Sequence, residues 1–499
     1  MSHLAKNDLA NRFERDMYPA SLVMTDETAL WLQRTTHGKQ LAVLAPHAHW
    51  WLDQFKGNAQ SFDDQHVLKL CPTDDVNART LLENVPNLKP TPLGLATSAG
   101  CGDRLGLATP GHIQAFRAVS RQSGAQPIAA IFMQQSIREM TRTNRAPVDV
   151  MRDATWGAFE GGWRDRVGAD ADHLKTPDDI DACTAVSFSF YTIDPGAHVD
   201  SEADTAAPNT IKTKVAALRW NDLESSSNDL RAQYADRVFE IEDRRIALDE
   251  QTLWRAAAKY GNAIAHVTQM YRHLVSKSIP FELEVSVDET ETPTTHAEHV
   301  FIASELKRLG VHWVSLAPRY VGRFEKGVDY IGDLKELETD LAGHAAIARA
   351  LGPYKLSLHS GSDKFSVYPL IVAATRGVVH LKTAGTSYLE ALRAIAQVKP
   401  ALFRDLLALA IERYASDHVS YHVSADVTRV ARPQTLSDAD MPAVLDQFDT
   451  REALHVTFGS ALAQYGADIR ATLLAHEAEH YAALEAHFVK HLRPFARLI

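Results

Sequence analysis

The sequence has few cysteines, little positive charge and no long apolar runs. Its 499 residues include only Cys71, Cys101 and Cys183, whose odd number and wide spacing exclude a disulfide framework. Acidic residues outnumber basic ones by 63 to 52, and the formal charge is -11, which excludes the basic surface of a nucleic-acid binder. No apolar run reaches the roughly 18 residues of a membrane span, and the polar start has no signal-peptide core. We expect a cytoplasmic protein with reduced thiols and without nucleic-acid or membrane partners.

Short apolar runs alternate with helical patterns along the middle of the chain. Most runs are rich in Val, Ile, Leu or Phe and alternate little, which is typical of parallel strands covered on both faces. Eight such strands close a (β/α)₈ barrel of the TIM type, and this α/β fold is our prediction. The predicted strands are 92–100, 127–135, 166–174, 185–194, 281–287, 311–318, 354–360 and 377–385.

The lengths of the remaining segments predict three further parts. Residues 1–90 are predicted to form an N-terminal α/β cap, and residues 91–390 the catalytic barrel. About ninety residues separate the fourth and fifth strands, too many for one crossover, so we expect a helical insertion at about 197–280. Residues 391–499 are predicted to be a largely helical extension, interrupted by the segment SYHVSADVTRVARP.

Carboxylates and imidazoles cluster where predicted strands end. Asp172 and His173 end the third strand, Glu284 lies on the fifth, and His359 and His380 belong to the last two. A carboxylate inside a barrel is costly to bury unless it is paired, protonated or bound to a cation. Because functional loops follow barrel strands, these histidines are predicted to surround one divalent metal ion, Zn²⁺, Mn²⁺, Fe²⁺ or Co²⁺. Helix capping, surface histidines and a solvated strand end are the alternatives.

Two further motifs resemble sites of other chemistry. The loop from Gly100 to Gly106 has G-x-G-x-x-x-G spacing, and no strand with an acidic end follows at the distance a ribose contact needs. We interpret it as a barrel loop with Asp103 and Arg104 facing the site. His476-Glu477-Ala478-Glu479-His480 matches the zinc-protease motif H-E-x-x-H, but little chain remains to build a cleft. An exposed amphipathic terminal helix is the preferred interpretation.

Several long stretches resemble the tagaturonate epimerase family, also described as tagaturonate/fructuronate epimerases. The resemblance implies a TIM-barrel-like fold, a divalent metal, and interconversion of D-tagaturonate and D-fructuronate, so that the partner is a small-molecule keto hexuronate. A homo-oligomer is left open. The matching stretches are GDRLGLATPGHIQAFR (102–117), GADADHLKT (168–176), FYTIDPGAHVD (190–200), FELEVSVDETETPT (281–294), LAPRYVGRFEKGVDYIGDL (316–334), LSLHSGSDKFSVYP (356–369) and HLKTAGTSYLEALR (380–393).

The resemblance also implies roles at matching positions. Asp172 and Glu284 would be the two acid/base groups, and His173 and His359 would be metal ligands. The third ligand is assigned to a histidine at a strand end, and a histidine of the interrupting segment is the alternative. These two candidates are His380 and His422, respectively.

The substrate pair implies a particular chemistry. The two sugar acids differ at the carbon β to the ketone, where simple enolisation cannot invert the centre. Because no redox-cofactor site is evident, retro-aldol cleavage and re-addition is the expected route, with a metal polarising the ketone. Arg319, Lys364 and Lys382 are candidates to hold the substrate carboxylate, with solvated loop positions as the alternative. The rival functions are a metal-dependent aldolase, a ketose isomerase and a sugar-acid binding protein.

Overall fold

The computed structural model describes residues 9, 13, 15–25, 27–36, 38–122 and 124–496. Its strands are β1 Val23–Met24, β2 Ala29–Thr35, β3 Gly38–Pro46, β4 Asn58–Ser61, β5 His66–Pro72, β6 Ser98–Cys101, β7 Ala129–Ser136, β8 Val167–Leu174, β9 Phe190–Ile193, β10 Arg237–Ile241, β11 Arg244–Leu248, β12 Glu282–Ser286, β13 Ser315–Ala317, β14 Lys355–Leu358 and β15 Val379–Thr383.

Helices cover most of the remaining chain. The α-helices are Trp51–Gln54, Asp75–Asn84, Thr109–Ser120, Ile137–Arg142, Pro147–Glu160, Pro177–Thr184, Pro208–Ala216, Ser227–Tyr234, Glu250–Ser276, His296–Arg308, Leu334–Leu351, Tyr368–Thr375, Thr386–Val398, Pro400–Asp417, Phe448–Val456, Phe458–Ala475 and Glu477–Leu492. The 3₁₀ helices are Pro19–Ser21, Gly196–His198, Ser201–Asp204, His418–Ser420, Val427–Arg429, Pro433–Thr435 and Asp438–Asp446.

The eight predicted strands form a closed parallel barrel, so the TIM-type prediction is confirmed. The strand order around the barrel is β12-β13-β14-β15-β6-β7-β8-β9. Its closure depends on β15 pairing with β6, where Lys382 lies opposite Gly100. All barrel pairs are parallel, which places every carboxyl strand end at the same mouth.

Threonine caps fix where barrel helices begin. Thr176 and Thr295 each accept a hydrogen bond from the backbone N–H three residues on, and Asp179 and Glu298 complete the two capping boxes. The sequence predicts helix starts at Thr176 and Thr295, where threonine suits an N-cap, and the structure confirms both. Thr109 before Pro110 predicts a third N-cap, but the cap is Ala108, whose N–H donates to Asp103.

The N-terminal part is an antiparallel sheet with the order β1-β2-β3-β5-β4. The insertion between β9 and β12 contains the predicted helices and also the hairpin β10–β11, which the sequence analysis missed. The hairpin turn consists of Glu242 and Asp243, with Glu242 in the left-handed region at φ 52°. It lacks the Asn-Gly or Asp-Gly pair that signals such a turn.

The C-terminal part is largely helical and packs against the barrel. The helix Glu477–Leu492 lies along Thr109–Ser120, where a Cβ at Gly111 would come within 2.7 Å of Leu484, so this approach needs glycine. The predicted interruption is present between residues 418 and 447 as short 3₁₀ helices. Within the ranges that the structure describes, no helix has both the length and the apolarity to cross a bilayer.

Candidate active site

Asp172 and His173 reach the barrel mouth together although they are neighbours on β8. Alternation would send adjacent side chains to opposite faces of a strand. His173 instead has a left-handed backbone with φ 53°, and the register with β9 shifts between Ala171 and Leu174. This irregularity turns both side chains into one cavity, as irregular strand segments often do near active sites.

Lys382 connects three carboxylates inside the barrel. Its Nζ lies 2.7 Å from Asp172 Oδ1, 2.9 Å from Asp170 Oδ2 and 2.9 Å from Glu284 Oε1. It also donates to Thr192 Oγ1 at 2.6 Å, and all of these residues are buried. One buried cation thus pairs with three carboxyl groups whose charge would be costly to bury alone.

Two histidines adjoin this charged cluster. The rings of His173 and His359 are 5.1 Å apart and nearly perpendicular, and His359 Nε2 contacts Glu284 Oε1. Asp172, His173 and His359 each offer one ligand atom, and these atoms lie within 4.8 Å of one another. A carboxylate and two imidazoles form a donor set suited to a divalent transition metal.

The protonation of the site follows from this charge arrangement. Burial opposes ionisation of Asp172, but the positive charges of His173 and Lys382 outweigh it and hold the pKa below its usual range. Burial also disfavours a charged His173, yet Asp172, Glu289 and Asp194 raise its pKa to about 10. For His359, burial and Lys382 are outweighed by carboxylates such as Glu284, and the pKa rises to about 9.

Two connected cavities open onto these groups. The inner one, of about 30 Å³, is lined by Asp172, His173 and His359 together with Arg138 and Tyr421. The outer one, of about 260 Å³, shares His359, Arg138 and Tyr421 with it and extends to solvent. Cationic side chains at the outer cavity are Arg138, Arg319, Arg323 and Lys326.

The structure separates the two candidates for the third histidine ligand. His380 lies on the same strand face as Lys382 but two residues deeper, and its Nδ1 is 2.8 Å from Ser98 Oγ. Among the described residues, the groups able to hold a metal do not include His380. His422 instead lines the outer cavity beside His359.

Only some of the predicted substrate-binding residues line the cavities. Arg319 lines the outer cavity, forms no ion pair in the described part of the chain, and donates to the Tyr320 carbonyl oxygen at 3.3 Å. Arg104 lines the inner cavity but is 2% exposed and paired with Glu139. Asp103 does not face the site, because its carboxylate accepts three backbone N–H groups of its own loop. Lys364 is also directed elsewhere, since its ammonium donates to three backbone carbonyl oxygens.

Several residues that complete the site were not predicted from the sequence. Their positions could have indicated them, because each follows or ends a barrel strand or lies in a stretch that matches the family. Arg138 follows β7, Asp194 follows β9, and Lys326 belongs to the stretch 316–334. Asp288 and Glu289 follow β12 directly, and burial opposed by neighbouring positive charge, from His359 and His173 respectively, leaves the pKa of each below its ordinary value.

The H-E-x-x-H segment does not form a protease site. His476 is the residue at which one helix ends and Glu477–Leu492 begins, so the two histidines do not share a continuous helical face. Glu477 is engaged in ion pairs with Arg34 and Lys39. The segment does begin a terminal helix, but the prediction that this helix is exposed is wrong, because it packs against Thr109–Ser120 and buries His480, Leu484 and His487.

These features define a TIM-barrel enzyme whose charged site lies at the carboxyl ends of the strands. Residues 18–495 match the family model described as tagaturonate epimerase. The chain is 39% identical over 484 residues to the tagaturonate/fructuronate epimerase of Thermotoga maritima, with 96% of each sequence covered. It also matches the native and the one-glycerol crystal structures of fructuronate-tagaturonate epimerase UxaE from Cohnella laeviribosi, each with TM-score 0.89, 33% identity and coverage of 98% and 99%. The chain belongs to the tagaturonate epimerase family and is an isomerase.

Proposed function

We propose that this enzyme interconverts D-tagaturonate and D-fructuronate by metal-dependent retro-aldol chemistry. The observation that carries the proposal is the joint placement of Asp172 and Glu284 around Lys382, with His173 and His359 beside them at the cavity floor. This arrangement offers two carboxylate bases and a set of metal ligands within one small site. The names of the relatives support the choice of substrate pair.

The residues present fit a divalent metal ion. His173 and His359 would hold it, with Asp172 near enough to add an oxygen ligand. His173 Nδ1 is buried and forms no hydrogen bond in the described part of the chain, and its nearest acidic partner, Asp194 Oδ2, lies 3.4 Å away. When bound, such an ion supplies a Lewis acid that polarises the ketone. His422 is our candidate for a further ligand, because it lines the connected cavity.

The carboxylates are proposed to move the hydroxyl proton. One of them accepts the proton from the hydroxyl on the carbon β to the ketone as the bond to the α carbon breaks. The electrons of that bond pass to the ketone fragment as an enediolate, and the other fragment becomes an aldehyde. After the aldehyde rotates, re-addition on its opposite face re-forms the bond, and the proton taken up by the first carboxylate passes to the second carboxyl group, which donates it to the new alkoxide. Asp172 and Glu284 fit these roles because neighbouring positive charges, Lys382 among them, keep both ionised despite burial.

The outer cavity is proposed to hold the substrate carboxylate. Arg319 is the best placed cation, because Arg138 is already paired with Glu289 through two hydrogen bonds. Lys326 donates to Ser360 at 2.9 Å and lies between the outer and inner cavities. A planar guanidinium suits bidentate binding of a carboxylate.

Isotope experiments with purified enzyme test the reaction. With D-fructuronate in D₂O, NMR should show D-tagaturonate without deuterium at the inverted carbon, because the hydrogen there remains attached throughout cleavage and re-addition. Labelled dihydroxyacetone, the three-carbon ketone fragment, should enter the product pool. Deuterium at the inverted carbon would contradict the retro-aldol route, whereas incorporation of the labelled ketone would support it. Three-carbon end products would instead indicate an aldolase, and an aldose product an isomerase.

Variants and metal removal test the assigned groups. Glu284→Gln should lower kcat by about 10²-fold or more, since it removes an acid/base group while keeping the side-chain shape. Dialysis against a chelator should abolish activity, and a divalent metal should restore it. Glu282→Gln is a matched control, because Glu282 lies on the same strand but accepts backbone N–H groups of Leu93 and Gly94. Full activity of metal-free enzyme or of Glu284→Gln would refute the corresponding role.

A further inference from the structure

A second group of potential metal ligands lies outside the barrel mouth, between the helices His296–Arg308 and Leu334–Leu351. Asp340 Oδ1 is 3.5 Å from His296 Nε2 and 3.4 Å from His344 Nε2. These separations are close to the roughly 3.3 Å between ligand atoms on a tetrahedron with metal bonds of about 2.0 Å. They are longer than the 2.7–3.2 Å typical of an N–H···O hydrogen bond. The donor set is two imidazoles and one carboxylate, which are among the ligands that Zn²⁺ takes in proteins.

His344 provides an independent indication that this group binds a ligand. The residue is fully buried, and its Nε2 forms no hydrogen bond within the described ranges although it points towards Asp340. Its Nδ1 is 2.8 Å from His299 Nδ1, and His299 Nε2 is 2.7 Å from the Tyr354 hydroxyl. If His344 Nδ1–H donates to His299, and His299 Nε2–H donates to Tyr354, then His344 Nε2 keeps a free lone pair. Such hydrogen-bonded support is typical of metal-ligating histidines.

The backbone around the group also accommodates this arrangement. Gly343 lies inside a helix, where glycine is unfavourable, and a Cβ there would come within 2.1 Å of the His296 ring. The glycine therefore makes room for this imidazole beside Asp340. His296 Nε2 also lies 3.1 Å from the Asp340 carbonyl oxygen, so a metal-free state in which the Nε2–H donates to that oxygen is the competing arrangement.

We propose that His296, Asp340 and His344 bind a second divalent transition-metal ion, of the Zn²⁺ class, that has a structural role. The ion would connect the two helices and stabilise the wall of the substrate cavity. Asp340 Oδ2 accepts the Val321 N–H at 3.1 Å, and the Tyr320 ring packs edge-on against His344 at 5.6 Å. Tyr320 and Arg319 belong to the same cavity-lining loop, so the site acts on the active centre through this loop.

Metal counting on the full-length protein tests the proposal. Chelator-treated wild type is titrated with Co²⁺, whose visible absorption reports tetrahedral coordination, and with Zn²⁺ in competition. His296→Ala should bind one equivalent fewer than wild type and should lose the corresponding Zn²⁺-induced rise in thermal inactivation temperature. His476→Ala is the matched control, because it removes a partly exposed histidine near a carboxylate and should leave the count unchanged. Equal metal counts for wild type and His296→Ala would overturn the proposal.

A second pair of variants separates this site from the active centre. His173→Ala/His359→Ala removes two proposed ligands of the catalytic metal and should still bind one equivalent. Adding Asp340→Asn to that double variant should abolish the remaining binding. If the triple variant with Asp340→Asn still binds one equivalent of metal, the second site is refuted. If instead the active centre binds no metal, wild type and the His173→Ala/His359→Ala variant will bind the same number of equivalents, and the test of the second site is unaffected.

Discussion

Removal of the Lys382 charge is the sharpest test of the active-site electrostatics. The ammonium is 2.7 Å from Asp172 and 2.9 Å from both Asp170 and Glu284. At an effective dielectric constant of ~20, one pair of unit charges at such a distance interacts by about 6 kcal/mol, or about 4 pKa units. Desolvation of the ammonium offsets much of this energy. In Lys382→Met we therefore expect the pKa values of the carboxyl groups to rise, by at least about 1 unit for the group that limits activity.

The assay is the pH dependence of kcat/KM together with stability against denaturant. The pKa values of Asp172 and Glu284 are depressed in the folded enzyme, so their ionisation stabilises it above their unfolded pKa and this stability is lost as pH falls. Lys382→Met should thus move the acid limb of kcat/KM upwards, and its stability deficit should shrink in acid. Lys364→Met is the control, because the ammonium of this buried lysine donates to backbone carbonyl oxygens instead. An acid limb that does not move would refute the reasoning.

Three further predictions concern other parts of the site. Arg319→Ala should raise KM at least tenfold with a smaller change in kcat, and steady-state kinetics that show an unchanged KM would exclude carboxylate binding there. Arg104→Ala should destabilise the fold by about 3–5 kcal/mol in chemical denaturation, because it leaves Glu139 buried without its partner, and a loss below about 1 kcal/mol would contradict this. The raised pKa values of His173 and His359, about 10 and about 9, predict that metal-free enzyme loses stability from pH 6.5 upwards and that metal binding at pH 7 releases protons. Calorimetry in buffers of different ionisation enthalpy would measure this release, and buffer-independent heats would disprove it.

The barrel could be predicted from the sequence because its signals are local. Apolar runs such as 281–287 and 377–385 contain their own strand pattern, and their polar ends mark the mouth. The caps at Thr176 and Thr295 are equally local, since a capping box spans four residues. The hairpin β10–β11 was missed because its turn at Glu242 has no glycine signal.

The active site was harder to predict, since side-chain direction depends on three-dimensional context. Lys364, which follows β14, and Lys382, which lies on β15, both suggest anion binding. Lys364 instead contacts backbone carbonyl groups, and Lys382 contacts three carboxylates. His380 has the right residue type at the right strand, yet it lies two residues deeper than Lys382. His173 reaches the cavity only because its backbone is left-handed, and no local sequence pattern predicts this conformation.

The helix Glu477–Leu492 has a consequence for biosynthesis. His487 Nε2 contacts Asp363 Oδ1 at 2.6 Å, and His491 Nε2 accepts the Asp363 N–H at 2.9 Å. Two of the contacts that hold the loop after β14 therefore come from residues that are synthesised more than a hundred positions later. Because the N-terminus is synthesised first, we expect the barrel strands of the nascent chain to form before this loop adopts its final conformation. We also expect truncated proteins that lack the helix to be inactive even when their barrel forms.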